Sequence, residues 1–442
     1  MSSDERKWAE RKVGFARFFA RAKQVLTTDP TSSDEDDLVV DEEAARVLAA
    51  QAGRLKGGLA KVAQLAAYDP GASLGRGRGA SAAARTVLGG LWDKAPAVSS
   101  GAIAGVVEKD LGKAPQSLFK SWDATPVAAA SLGQVHAAVM HDGTEVVVKV
   151  QYPGVADALR ADLDDEAFIR KLAGAEIGRS LDDTALHTLG DAVRGELDYR
   201  DEAASQIAFA KAWEGDKSVR IPRVIEELSS TRVLTMTRAR GRTLVDIAGS
   251  GTPEIRAHAA AAIYKFAWGS PLAHGLLNAD PNPGNFLVEV EGDGHVNVHC
   301  LDFGCAMTLP DDVRDLDREI WWGLLDDDSA SAAERFRMAL GKSGLLRRTD
   351  SLATVAHREW ERALAAPLAT HGSFHWDPTY AGDFAETTGR VLASGGMQLP
   401  AKLLLLWRQR LGAAAVIGML DATVPFRRVL FDLIGSGKRA LR

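Results

Sequence analysis

Cysteine is almost missing from this chain: of 442 residues only Cys300 and Cys305 carry a thiol. They are not spaced as C-x-x-C, which argues against zinc and redox roles, and His136, His141 and His274, without metal-ligand spacing, are read as structural. Two buried thiols in a reducing cytoplasm are expected instead. Long apolar runs are also lacking. No stretch of about 18 uncharged apolar residues occurs, and the best candidate, residues 403–420, is interrupted by Arg408 and Arg410. The first 26 residues are too charged for a secretory signal. A net charge of −6, with no basic patch interleaved with aromatics, gives no footprint for nucleic acid. What remains is a composition of 46% hydrophobic and 25% charged residues, that of a folded protein long enough for two or three packed units.

Four regions follow from the patterning. Residues 1–43 hold a basic amphipathic segment, with Trp8, Phe15, Phe18 and Phe19 among arginines and lysines, and an acidic linker at Asp34–Asp37. Such a helix lies on an anionic membrane surface or against the rest of the protein. Residues 44–125 form a helical extension: Leu48, Leu55, Leu59 and Val62 recur at helical spacing, a Gly/Ala/Ser-rich loop covers 71–90, and 101–122 is helical again. Within 126–240, two apolar runs at 135–139 and 145–150 flank Asp142-Gly143, the signature of a hairpin. One long helix is expected over 182–213, then two strand-like runs in 224–237 around Ser229-Ser230. Residues 241–442 are mostly helical, with one hairpin over 286–301 turned at Asp293-Gly294. A small sheet with one long helix, followed by a helical lobe, predicts an α+β, bilobal, protein-kinase-like fold.

The chemistry concentrates in Asp280-Pro-Asn-Pro-Gly-Asn285 and, seventeen residues after that asparagine, Asp302-Phe-Gly304. Phosphoryl transfer needs little covalent help from a protein; it needs Mg2+ held by a carboxylate and an amide oxygen, with another carboxylate orienting the attacking oxygen. Asp302 and Asn285 suit the metal, and Asp280 suits the third role. Lys149 closes an apolar strand, and a lone buried ammonium is costly, so a partner is expected for it. The expected long helix offers Glu196, Asp198 and Glu202. At about 100° per residue Asp198 and Glu202 share a face and Glu196 lies about 120° from Glu202. Where a glycine-rich phosphate loop would stand, the chain has Ala128-Ala129-Ala130-Ser131 with Gly133 after it, a stiffer loop because each Cβ resists positive φ.

These motifs in this order resemble the UbiB/AarF (ADCK-type) family of atypical protein-kinase-like proteins. Residues 126–136 match that family's alanine-rich loop, 148–154 its lysine strand, Glu196-Leu-Asp198 with Glu202 its E-x-D helix, and 279–285 and 301–304 its loop and metal motifs. The resemblance spans about residues 44–310. It implies that Lys149 binds the α- and β-phosphates of ATP and pairs with Glu202, that Asn285 and Asp302 hold Mg2+, and that Asp280 is the catalytic aspartate. It further implies an N-terminal helix packed over the active site, whose K-x-G-Q lysine points toward the E-x-D acids Glu196 and Asp198. The match here is Lys61-Val62-Ala63-Gln64, with alanine in place of glycine.

Members of that family are associated with isoprenoid-quinone biosynthesis and prenyl-lipid homeostasis and resemble ATPases more than protein kinases. The absence of an Ala-Pro-Glu after Asp302-Phe-Gly304 fits, since the platform for a protein substrate is then missing. The expected activity is Mg-dependent ATP hydrolysis serving a quinone or prenyl-lipid pathway, by a cytoplasmic protein touching the membrane peripherally. Two other readings stand beside it: a small-molecule kinase, and a non-catalytic, nucleotide-gated scaffold for lipid or protein.

Overall fold

The structure, a computed structural model, describes residues 98–435 apart from 131, 158–159, 161–190, 192–193, 326–328, 347–354, 370, 395–396 and 398–399. The expected amphipathic segment, the helix bearing Lys61 and Gln64, the loop at 71–90, Ser131 and most of 182–193 lie outside the described residues. In chain order the elements are α1 (Ser100–Leu111), β1 (Ser121–Ala130), β2 (Gly133–Val139), β3 (Glu145–Gln151), α2 (Tyr199–Ala212), β4 (Val219–Arg220), β5 (Val233–Thr237) and β6 (Arg242–Thr243). There follow α3 (Leu244–Ser250), α4 (Pro253–Gly269), β7 (Leu276–Asn278), β8 (Phe286–Val290), β9 (Val296–Cys300) and β10 (Ala306–Thr308). The chain finishes with α5 (Asp311–Leu325), α6 (Ser329–Ser343), α7 (Val355–Ala369), β11 (Phe374–Trp376), α8 (Pro378–Ala393), α9 (Ala401–Met419), β12 (Ala422–Val424) and α10 (Phe426–Gly435). They fall into two units, the first taking in residues up to 181, 197–200 and 225–238, the second the remainder.

The first unit is an antiparallel sheet in the order β1-β2-β3-β5. The expected hairpin is present: Asp142 Oδ1 accepts the Thr144 N–H at 2.8 Å, and Gly143 takes the positive φ of 91° that closes the turn. Val146, Val148 and Val150 alternate onto one face of β3, and Ile103, Val106 and Val107 of α1 pack there with Phe119 and Val233. The three helical positions are one stripe, at i, i+3 and i+4. Gly133 is required where β2 crosses β3, because a Cβ there would lie 2.8 Å from the Val150 carbonyl carbon. A buried relay stiffens the β1–β2 end. The Val98 N–H bonds Gln134 Oε1, Gln134 Nε2 donates to His136 Nε2 at 3.0 Å, and His136 Nδ1 donates to the Asp123 carbonyl at 2.9 Å.

Three sequence expectations are corrected here. Strand β1 begins at Ser121, inside the span expected to be helical to 122. Only the second strand-like run, β5, is a strand; Glu226–Leu228 is a 3-10 turn whose neighbouring carbonyls are taken by Ser229 Oγ and Thr235 Oγ1 rather than by a ladder. The long helix is interrupted at Glu196–Asp198 and restarts at Tyr199. There the Leu197 carbonyl accepts from Gln151 Nε2, and the Tyr199 N–H donates to the Thr231 carbonyl, so tertiary bonds replace the helical ladder.

The second unit is built on α4, whose Ala259, Ala260, Ile263, Tyr264, Phe266 and Trp268 are buried on several sides. Thr252 caps it through the Ile255 N–H, with Pro253 at the first helical position. Helix α9 lies against it. Arg410, 1% exposed, donates to Asp317 Oδ2 at 2.8 Å and to the Ala267 carbonyl at 2.8 Å, and sits over the indoles of Trp268 and Trp321. Trp321 Nε1 in turn holds Asp317 Oδ1 at 2.9 Å. The charge interrupting the apolar run is thus a buried ion pair joining α4, α5 and α9. In α7, Pro367 offers no N–H, and the carbonyl of Ala363 four residues back accepts from the Tyr380 hydroxyl at 2.8 Å instead. Among the described residues no helix is long and apolar enough to cross a membrane.

Candidate active site

Two strand pairs bring the distant motifs together in the second unit. Strands β7 and β10 pair antiparallel with Asn278 opposite Ala306, and β8 and β9 form the expected hairpin with Phe286 opposite Cys300. The segments 279–285 and 301–305 are therefore held at both ends. Backbone bonds stitch them: the Ala279 N–H donates to the Cys305 carbonyl and the Leu301 N–H to the Asn285 carbonyl, each at 3.0 Å. Asn278 Nδ2 adds a bond to the Asp302 carbonyl at 2.7 Å.

Within the loop, Asn282 Oδ1 accepts the Gly284 N–H at 2.8 Å and sets a short 3-10 turn ending at Asn285. Asn285 directs its Nδ2 at the Asp280 carbonyl, 3.1 Å, and Asp280 Oδ2, 3.3 Å. With the nitrogen so engaged, Oδ1 is the atom available to a hard cation. Asp302 Oδ1 caps the Gly304 N–H at 2.9 Å, and Phe303, buried, rests on Phe209 of α2 with ring centroids 4.9 Å apart. Gly304 is crowded by three acids: a Cβ there would stand 3.3 Å from Asp302 Oδ1, 3.4 Å from Glu196 Cγ and 3.6 Å from Glu202 Oε2. Glu196 and Glu202 are both buried. One carboxylate and one amide oxygen, both hard donors, fit a Mg2+ completed by phosphate oxygens; among the described residues no three His, Cys, Asp or Glu side chains cluster in metal-binding geometry.

The helical-wheel expectation for the E-x-D segment does not survive the interruption at Glu196–Asp198. Glu196 and Glu202 approach the same glycine, whereas Asp198 turns to Arg200, bonding its backbone N–H at 2.9 Å and its guanidinium at 2.6 Å. Those bonds hold the Asp198 carboxyl below the usual carboxylate range.

The remaining expected residues that the structure describes lie in the first unit. Lys149 is buried on β3, opposite Val135 and Leu234, with its Nζ 5.0 Å from the Tyr199 ring centroid. Ala128, Ala129 and Ala130 are the end of β1, paired with Val135, Gln134 and Gly133, so the alanines lie in a strand rather than a free loop. His136 is buried in the relay described above, and burial lowers its proton affinity. Both cysteines are buried and neither is in a disulfide.

Sequence reasoning missed what α9 brings to the site. Gly412 faces the 279–285 loop, where a Cβ would overlap the Pro281 ring. One turn earlier, Arg408 Nη1 lies 3.8 Å from Cys305 Sγ. Burial opposes the charge of Arg408, but the neighbouring Cys305, Asp280 and Glu196 outweigh it and hold the guanidinium above the ordinary arginine value. The sequence shows two arginines in an otherwise apolar helix, with nothing local to say which of them faces the loop.

Comparison with known proteins gives the family and the fold. The model of the ABC1 atypical kinase-like domain matches residues 90–336. The rat mitochondrial atypical kinase COQ8B is 32% identical over 269 residues, covering 61% of this chain and 50% of that one. A chloroplastic aarF domain-containing protein kinase of Arabidopsis thaliana is 32% identical over 236 residues, 52% of this chain and 32% of its own. Among solved structures, that of the Rv3197–erythromycin complex from Mycobacterium tuberculosis is similar at TM-score 0.60 and 28% identity, over 91% of this chain and 98% of that one. The fold is protein-kinase-like, and the chain belongs to the ABC1 atypical kinase-like family, as the UbiB/AarF resemblance implied. The chain spans about half the length of the curated relatives it matches.

Proposed function

We propose that this chain is a Mg-dependent ATP-binding member of its family and that it hydrolyses ATP in support of an isoprenoid-quinone or prenyl-lipid pathway. The observation that carries this reading is the convergence of Asp280, Asn285 and Asp302 between two strand pairs, with Glu196 and Glu202 beside them. In it, Asn285 and Asp302 would hold the cation, which would supply charge stabilisation at the phosphates. The family resemblance adds Lys149 for the α- and β-phosphates with Glu202 as its partner, and Ala128, Ala129, Ala130 and Ser131 for the nucleotide. Asp280 accepts the proton of the attacking water as the terminal phosphorus exchanges its bridging oxygen for the new one and ADP leaves. Lys61 and Gln64, outside the described residues, are assigned to the site with Glu196 and Asp198 by the family resemblance alone. The quinone precursor or prenyl lipid, and peripheral membrane contact, belong to this reading through the family resemblance alone.

Titrating the full chain with ATP, with and without Mg2+, tests it. The wild type is expected to bind ATP with Mg2+, and Asp302→Asn to lose most of that Mg-dependent gain and at least about 100-fold in phosphate release. A wild type that binds no ATP rejects the reading. Adding liposomes and a prenyl-phenol analogue separates the alternatives. Stimulated phosphate release supports the ATPase, stoichiometric transfer to a small molecule the kinase, and partner binding changed by ATP without phosphate release the scaffold.

A further inference from the structure

Strand β3 carries a second polar residue on the face of Lys149. Lys149 and Gln151 are two positions apart, opposite the face on which Val146, Val148 and Val150 pack against α1. Gln151 is 1% exposed, and its amide is directed at two backbone carbonyls: Nε2 donates to Leu197 at 3.1 Å and to Thr231 at 3.4 Å. Turning the amide over would set Oε1 against both carbonyls. The orientation is therefore forced, although it leaves Oε1 buried without a partner among the described residues.

The two carbonyls lie on either side of one joint. Leu197 stands between Glu196 and Asp198 in the E-x-D segment, and Thr231 comes just before β5, the neighbour of β3 in the sheet. The same Thr231 carbonyl takes the Tyr199 N–H at 2.9 Å, and the Gln151 N–H donates to the Arg232 carbonyl at 3.0 Å. Asp198, just ahead of α2, accepts the Arg200 N–H at 2.9 Å, so the helix starts where the turn ends. The turn is thus fastened to the sheet by one side chain two residues from Lys149, and the Tyr199 ring that follows lies 5.0 Å from Lys149 Nζ. Residues 149–151, 197–200 and 231–232 all belong to the first unit. In protein kinases the register of the lysine and the helix is what activation adjusts. Here it is set by hydrogen bonds that need no ligand. We propose that Gln151 is a positioning residue, which holds the E-x-D turn in register with Lys149 whether or not nucleotide is bound. This rests on the nucleotide reading above and adds to it a residue that acts only through Leu197 and its neighbours.

The test compares the full chain with Gln151→Met, which keeps the length and loses the donor, and Gln151→His, whose Nε2–H lies the same number of bonds from Cα. Amide hydrogen exchange over residues 197–200, measured without nucleotide, is expected to quicken about tenfold in Gln151→Met and to return to within about threefold of the wild type in Gln151→His. In phosphate release with Mg2+, Gln151→Met is expected to lose about 10- to 100-fold in kcat with KM for ATP within about threefold, and Gln151→His to recover most of that loss. Unchanged exchange in Gln151→Met overturns the proposal. So does a loss of turnover that follows the urea midpoint and is equally large in Gln151→His, since Gln151 would then only fill space. A wild type whose 197–200 amides are protected only once ATP is added overturns it as well, because nucleotide rather than Gln151 would then set the turn. The exchange measurement needs no turnover. A wild type that binds no ATP therefore removes the function above, while the exchange comparison still decides whether Gln151 holds the turn.

Discussion

Gly412→Ala asks whether α9 sets the position of the catalytic loop. In an open helix this change stabilises by up to about 1 kcal/mol, because alanine loses less backbone entropy than glycine. Here the new Cβ would overlap Pro281 Cγ and stand 3.3 Å from Pro281 Cβ and 3.5 Å from Cδ. Both partners are stiff, a proline ring and a helix backbone. Restoring an ordinary separation of about 3.5–4 Å needs a shift on the order of 1 Å. Overpacking of that kind costs about 1–3 kcal/mol, so the net loss of stability after the propensity gain is about 0–3 kcal/mol. Pro281 is bonded to Asp280, and a misplacement of about 1 Å at a reacting group costs about 100-fold in rate. The expected result is a small change in urea midpoint with a loss of about 30- to 100-fold in ATP turnover. The control is Gly382→Ala in α8, where nothing lies within 4 Å of the added carbon and a slight stabilisation with full turnover is expected. A Gly412→Ala protein with wild-type turnover would show that the loop's position does not depend on α9.

Replacing one member of the buried Arg410–Asp317 pair, by Asp317→Asn or Arg410→Met, is expected to cost about 3–5 kcal/mol in urea unfolding, and the double change less than the sum of the two. His136 gives a pH signature. Its folded-state proton affinity is lowered by burial, so its contribution is present above the ordinary histidine value near 6.5 and is lost as pH falls below it. The melting temperature of the wild type should therefore drop between about pH 7 and pH 5 more than that of His136→Gln; equal slopes would refute the assignment.

The two hairpins were legible because each carries its instruction locally, an Asp-Gly turn between alternating apolar runs. The site order was legible for the same reason, since the loop and the Asp-Phe-Gly turn are contiguous motifs. The break at Glu196–Asp198 was not. No proline marks it, and it is made by Gln151 and Thr231, residues distant in sequence that offer Leu197 and Tyr199 better partners than the helix would. Residues 224–228 likewise have strand composition, but Ser229 and Thr235 satisfy their carbonyls. Arg408 was invisible as a site residue because its meaning lies in Cys305 and Asp280, more than a hundred positions away.

The β8–β9 hairpin is rooted in the site by Phe286 and Cys300 and ends in an exposed tip at Asp293-Gly294. The interval between Asn285 and Asp302 consequently measures how far a ribbon travels out and back, not any dimension of the cation. Lengthening the ribbon by whole rungs would alter that interval and leave Asn285 and Asp302 where they are, so a search that insists on a fixed gap between the two motifs would overlook chains with the same arrangement.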